Sequence, residues 1–382
     1  MNFQNELLEE IIAFRKELHQ SPELSGKEHK TTAKIIKFIE KSKPDEIITF
    51  MGIGGLAAVF KGKDQGKTVL LRADIDALPI KETNSFAHKS KYPGIGHKCG
   101  HDGHTAILAG FSRLLQINPV TKGTAVLLFQ PAEETGAGAQ QVINHASFSR
   151  IVPDYAFALH NLPGFPLNAM LIKNDCFASA SKGLIIKLFG QTVHAAFPEK
   201  GLNPALAMAE IITRLSKISQ STAEFKDYVL LTIIHSKLGK RTFGTSPGDA
   251  VVMATLRSYR NDDMETLTNL SREIVLDVCD KHELAVKISW TDQFPATINH
   301  NTCIKIVKEV ADLNGFAVQQ PNKPFRWSED FGHFTQKFPG AMFGIGAGEN
   351  IPDLHHPEYD FRDEILVSGI KMFDGIVRKV LS

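Results

Sequence analysis

Three short, wholly apolar runs constrain this fold most: Val69-Leu70-Leu71, Ala125–Phe129 and Tyr155–Leu159. A strand with one wet face alternates apolar and polar side chains, whereas an unbroken apolar run needs cover on both faces. Helical signals separate the runs. Asn5–Gln20 and Lys27–Lys41 precede the first, and a helix starting near His104 puts Ile107, Leu108, Phe111 and Leu115 on one side. Strands alternating with helices imply an α/β layer with a mostly parallel mixed sheet flanked by helices. Chemical residues fall just after each run: Asp74 and Asp76, then Glu133 and Glu134, then His160. Ligands bind at the carboxyl ends of strands in open α/β sheets. Three strands therefore deliver carboxylates or imidazole to one edge.

The pattern changes after about Ser179. Leu184–Phe189, Tyr228–His235, Ala250–Ser258 and Leu284–Trp290 read as strands. Asn203–Ser219 reads as a helix, with Ile211, Leu215 and Ile218 at i, i+4 and i+7, and so does Asp262–His282. The order β-α-β-β-α-β is that of a ferredoxin-like domain. The first kind of signal returns after Asn301, with a strand at Ala341–Ala347 and a helix at Glu364–Leu381. We therefore expect residues 179–291 to be inserted in a catalytic domain made of residues 1–178 and 292–382.

A chain of 382 residues exceeds one average domain, which agrees with that division. The net charge is +1 and Lys and Arg are scattered, which gives no reason to expect a nucleic-acid or anionic-membrane partner. The 4 cysteines lie far apart, as free thiols in a reducing compartment would. No apolar run reaches the ~18 residues of a membrane span. The N-terminus, M-N-F-Q-N-E-L-L-E-E, has no apolar signal-peptide core. The expectation is a cytoplasmic protein acting on a small molecule.

The stretch Gly96 to His104, G-H-K-C-G-H-D-G-H, is the densest in chemistry. On an extended chain Cys99 and His101 would point the same way. Thiolate and imidazole suit zinc and similar borderline ions. Asp102 could cap the helix that follows. In Q-P-A-E-E, one carboxylate could ligate metal while its neighbour acts as general base toward water; alternatively, both are acids at a helix start. In R-A-D-I-D-A-L-P, a carboxylate could orient a ligand imidazole. His160, His355 and His356 are further imidazoles for such a site, while His194 lies in the inserted segment and suits an exposed loop. His19 suits packing at a helix end, and Ser328 to Phe331, S-E-D-F, could be no more than a helix start.

Taken in order, these motifs, with R-K-E-L-H-Q-S-P-E-L-S, F-A-L-H-N-L-P-G, H-A-A-F-P and L-H-H-P-E-Y-D-F, resemble the metallo-aminoacylase and carboxypeptidase family. Within it, the chain looks most like the amidohydrolase branch of hippurate hydrolases, auxin-conjugate hydrolases and N-acetyl-diaminopimelate deacetylases. The resemblance covers nearly the whole chain. It implies two divalent ions per subunit, zinc or manganese, bridged by Cys99, with His101 and Glu134 on one side and His160 and His355 on the other. It implies Glu133 as general base and acid, Asp76 as the orienting aspartate, and His194 of the insert as the donor that steadies the carbonyl oxygen, often across a homodimer formed through the inserted domain. The substrate class would be N-acyl amino acids, with Arg257 offered to the substrate carboxylate. The insert departs from the branch. Thr192 and Val193 precede His194 where two glycines are usual, and Gly244 stands where the branch carries asparagine. Two other readings stay open: a dinuclear carboxypeptidase or dipeptidase, and a non-catalytic metal-containing relic.

Overall fold

The computed structural model describes residues 5–220 and 223–382. Two compact units form. The first takes the chain up to Phe177, then Thr297–Pro324 and Asp330–Ser382; the second takes Ala178–Ala296 and Phe325–Glu329.

The first unit is built on a mixed eight-stranded sheet. Its order is Glu46–Thr49, Leu56–Lys61, Lys122–Gln130, Asp64–Asp74, Tyr155–Pro163, Gly340–Gly348, Met170–Leu171 and Val318–Gln319. The four central strands, which hold the three apolar runs, are mutually parallel. All three runs are buried, as expected of strands covered on both faces. Helices Asn5–His19, His101–Ile117, Asn301–Leu313 and Leu366–Leu381 supply cover, with Ile11, Phe14, Ile107, Phe111, Val307 and Phe373 in one core with Leu71, Leu127 and Phe157. Truncating such a side chain to alanine costs about 2–5 kcal/mol, so this core fixes where the strands end. The ends are flush: Asp74 pairs with Gln130, and His160 pairs with Gly344. That register brings the residues after each run to one edge.

The antiparallel strand Leu56–Lys61 beside the central strands carries an apolar run of its own, Leu56–Phe60, buried throughout. Glu46–Thr49 is short and half exposed, so it lacks a clear alternation.

The second unit has the order β-α-β-β-α-β. Its four-stranded antiparallel sheet runs Val229–Leu238, Asp249–Ser258, Ala180–Phe189, Ala285–Phe294. Along Asp249–Ser258, Ala250, Val252, Ala254 and Leu256 are buried in strict alternation. Helices Ala205–Lys217 and Asn261–Lys281 pack on the sheet through Ile211, Leu215, Leu267, Val275 and Val278. A boundary at 291 cuts inside the strand Ala285–Phe294; the unit ends at Ala296. The segment Phe325–Glu329 joins it because Ser179 donates its N–H to the carbonyls of Phe325 and Trp327.

Candidate metal centre

Helix His101–Ile117 begins at His101, three residues earlier than its apolar periodicity suggested. Asp102 does not cap it. The cap position belongs to Gly100, in the left-handed region at φ 96°, where a Cβ would also run into the Asn161 side chain. Asp102 instead accepts from His19 at 2.8 Å and Arg15 at 3.5 Å. The chain from Cys99 to His101 is therefore a turn into a helix and not an extended strand.

Two imidazoles are fixed by the acceptors behind them so that each turns its Nε2 toward the cluster and could bind a metal ion. His101 Nδ1 lies 3.1 Å from both Asp76 Oδ1 and the Asp76 carbonyl, which can only accept, so Nδ1 carries a proton. His101 Nε2 is buried and has no hydrogen-bond partner among the described residues. In the neutral ring that atom holds the lone pair, and a buried polar atom left this way costs about 1–3 kcal/mol. His160 follows the same logic. Its Nδ1 donates to the Asn161 carbonyl at 2.8 Å, while its Nε2 faces Cys99 Sγ at 3.6 Å.

Potential ligand atoms gather in overlapping groups, each within 4.8 Å: Cys99, His101 and His160; Cys99, Glu134 and His355; His101, Glu133 and Glu134. Cys99 belongs to two of them. The oxygens of Glu134 divide, Oε1 lying 3.8 Å from His101 Nε2 and Oε2 3.7 Å from His355 Nε2. Asp76 also accepts the Glu134 N–H at 3.0 Å and the Ser25 hydroxyl at 2.7 Å, so one carboxylate aligns both a histidine and a glutamate. His356 is exposed and outside these groups; its Nδ1 accepts the Glu358 N–H.

Electrostatics fit a cation here. Burial, then Glu134, pushes the Cys99 thiol well above its usual range, so a thiolate needs a positive partner. Burial opposes charge on His101, but Asp74 and Cys99 outweigh it and raise the ring. Burial and then His104 lower His160, which stays a neutral donor. For Asp76, burial works upward, and the His101 hydrogen bond with its other donors outweighs it, so the carboxylate stays ionised.

Several supporting residues carry no signal that periodicity or spacing would single out. Arg72 is buried and grips Asp74 and Asp330, each at 2.6 Å. The Asp330 N–H donates to Glu133 Oε1 at 3.2 Å, so S-E-D-F is more than a helix start. Glu28 accepts the N–H of Ala132, a left-handed residue at φ 53° that precedes the carboxylate pair; burial, then Asp76, pushes Glu28 up to about 7. Such contacts link segments far apart in the chain, which periodicity cannot reveal.

In the second unit, exposed His194 accepts the Ala196 N–H at Nδ1, which leaves the ring proton on Nε2. Arg257 donates from Nη1 to the Arg326 carbonyl at 2.6 Å and to the Ser328 hydroxyl at 3.1 Å. Gly244 accepts the Ala195 N–H, and a Cβ added there meets nothing within 4 Å.

The sequence matches peptidase family M20/M25/M40 over residues 70–379. The chain belongs to that family. An N-acetyl-L-cysteine deacetylase of Bacillus subtilis (strain 168) is 31% identical, with 95% of this chain and 86% of the relative covered. A hippurate hydrolase of Campylobacter jejuni is 29% identical, with 100% of both chains covered. A solved structure of a dinuclear metal binding peptidase of the M20 family from Bacillus subtilis has a TM-score of 0.83, with 26% identity and 99% of each chain covered. This M20 chain is thus a divalent-metal-dependent hydrolase of amide bonds with an α/β fold. No helix among the described residues is long and apolar enough to cross a membrane.

The charge network behind the metal loop predicts a pH effect. His19 is buried between Asp102 and Glu82, at 2.8 and 3.0 Å. Burial lowers its affinity for a proton, but Asp102 and then Glu82 outweigh burial and raise the pKa from 6.5 to about 9. A raised histidine stabilises the fold fully below its unfolded value and loses that contribution as pH climbs through the folded one. The denaturation midpoint of metal-stripped protein should therefore fall between pH 6.5 and about 9. His19→Gln should be flatter in that window. Equal slopes for the two proteins would refute this role.

Proposed function

We propose that this M20 protein hydrolyses the amide bond of N-acyl amino acids, releasing a carboxylate and a free amino acid. Cys99, His101, Glu134, His160 and His355 would hold two divalent ions, zinc or manganese. The observation that carries this reading is the sharing of Cys99 by two groups of ligand atoms, one with His101 and His160 and the other with Glu134 and His355, beside a buried Glu133 pinned by the Asp330 N–H. When bound, such ions supply Lewis acidity, which polarises the amide carbonyl and makes water more acidic.

The chain's own residues do the rest. Glu133 takes a proton from the attacking water and returns it to the departing amine nitrogen, whose bond to the carbonyl carbon breaks. Asp76 keeps His101 in the tautomer that presents Nε2. His194 donates from Nε2–H to the carbonyl oxygen as negative charge develops, and removing one such donor typically costs ~3 kcal/mol. Arg257 offers Nε and Nη2 to the substrate carboxylate, since both of its contacts among the described residues use Nη1. A cytoplasmic homodimer through the second unit belongs to the same proposal. Strand Val229–Leu238 is an edge of its sheet, and Ile234 on it is exposed.

Likeness to a dinuclear metal binding peptidase favours a second reading, a peptidase of free dipeptides. One experiment tests both. Metal-stripped protein is given Zn²⁺, Mn²⁺ or Co²⁺ and assayed on N-acetyl amino acids, hippurate and unblocked dipeptides. Metal-restored cleavage of the blocked substrates, faster than that of dipeptides, is expected. The reverse preference would move the assignment to a dipeptidase, and binding of blocked substrates without turnover under every metal would overturn catalysis.

A further inference from the structure

We infer that Lys98 is the positioning residue for the loop that carries His355, and that it thereby sets how tightly the divalent ion that His355 would hold binds. The inference rests on the proposed role of His355 as a ligand. It starts from backbone strain. His355 sits at φ 67°, in the left-handed region that a non-glycine residue rarely adopts. Its side chain is 51% exposed, so burial does not hold it there. Strained residues persist only where the surroundings over-determine them.

Here the surroundings are a hydrogen-bonded cradle. The His355 N–H donates to the Lys98 carbonyl at 2.7 Å, and the Thr83 N–H donates to the Pro357 carbonyl at 3.2 Å. Asn84 Nδ2 donates to the Glu358 carbonyl at 2.9 Å, and Lys98 Nζ to the Tyr359 carbonyl at 2.8 Å. Lys98 thus holds both ends of the loop from His355 to Tyr359, one with its main chain and one with its side chain. Its ammonium is wholly buried and also donates to Glu82 at 2.5 Å and Asn84 Oδ1 at 3.2 Å. All three ammonium hydrogens are therefore used.

Glu82 is fixed from the other side by His19 Nε2 at 3.0 Å and the Ser90 N–H at 2.6 Å. A lysine needed only to balance Glu82 would have no reason to reach the Tyr359 carbonyl. Because Lys98 precedes Cys99, the same residue ties the loop of the bridging thiol to the loop of the last histidine. These two segments lie more than 250 residues apart in sequence, and Lys98 sets their register at the site.

The test uses the full-length protein, stripped of metal and titrated with Zn²⁺ against a chromophoric chelator, with the melting temperature of the metal-free form as control. Lys98→Met is expected to weaken the site that His355→Ala abolishes by about 10- to 100-fold and the other site by much less, the usual effect of removing an outer partner of a ligand. Saturating Zn²⁺ should restore most of kcat, which a general loosening of the fold would not allow. Asn84→Ala, at a half-buried position, removes two cradle bonds and should weaken the same site by a smaller factor. Wild-type affinity at both sites in both variants, or equal loss at both sites, would overturn the inference. If Lys98→Met fails to fold, Asn84→Ala decides alone, with wild-type affinity overturning it. His355→Ala separates the two levels: if that variant still binds two ions, the ligand assignment fails, and the inference with it.

Discussion

Glu133→Gln should lower kcat by about 10²- to 10⁴-fold, the usual contribution of general acid–base catalysis, while leaving metal content and melting temperature near wild type. The substitution is nearly isosteric, and Gln Oε1 can still accept the Asp330 N–H that positions Glu133 at 3.2 Å. What it removes is the ability to take a proton. Glu133 is buried, and one of its oxygens lies within 4.8 Å of ligand atoms of His101 and Glu134, a distance one water can bridge. The oxygens of Glu134 instead face two histidines, so the two carboxylates are separable by experiment. Elemental analysis and steady-state kinetics on both variants would settle the division. Glu133→Gln should keep metal and lose turnover; Glu134→Gln should lose metal. Wild-type turnover in Glu133→Gln would overturn the base assignment, and joint loss of metal would make Glu133 a ligand.

The sequence discloses the site unevenly, for a physical reason. Asp76, Glu133, Glu134 and His160 were legible because each follows an apolar run, and a buried parallel strand leaves its carboxyl end as the place for chemistry. Cys99 and His101 were legible because glycine-spaced thiol and imidazole have little value as core. The second unit was legible because its strands alternate, as Ala250, Val252, Ala254 and Leu256 do. The scaffolding beneath the ligands was not. Arg72, Glu28, Glu82 and Lys98 look like ordinary surface charges in sequence, and only long-range pairing reveals that they are buried. The same limit explains Asp102, whose place near a helix start suggested a cap. Its carboxylate is claimed by Arg15 and His19, from a helix 83 and more residues away.

Cys99→Ala should abolish turnover and bring metal content to well below one ion per chain. In the proposed site each ion has three protein ligands, Cys99 being common to both sets. Catalytic zinc sites ordinarily use three, so deleting the shared thiolate leaves each ion with two. The softest donor is also the one lost, which weakens zinc more than a harder ion such as manganese. Alanine removes a group that burial and Glu134 already hold protonated without a cation, so the apo-protein should fold and melt close to wild type. That separation matters, because loss of activity alone would equally fit a cysteine nucleophile. A nucleophilic thiol predicts full metal content with no turnover in Cys99→Ala, and wild-type activity after chelation. A bridging thiol predicts that metal and turnover vanish together and that excess Zn²⁺ fails to restore them. Cys99→Ser gives an intermediate test, since an alkoxide bridge is harder than thiolate and should favour Mn²⁺ over Zn²⁺ relative to wild type. Two full equivalents of zinc in Cys99→Ala would show that the ions do not share this residue.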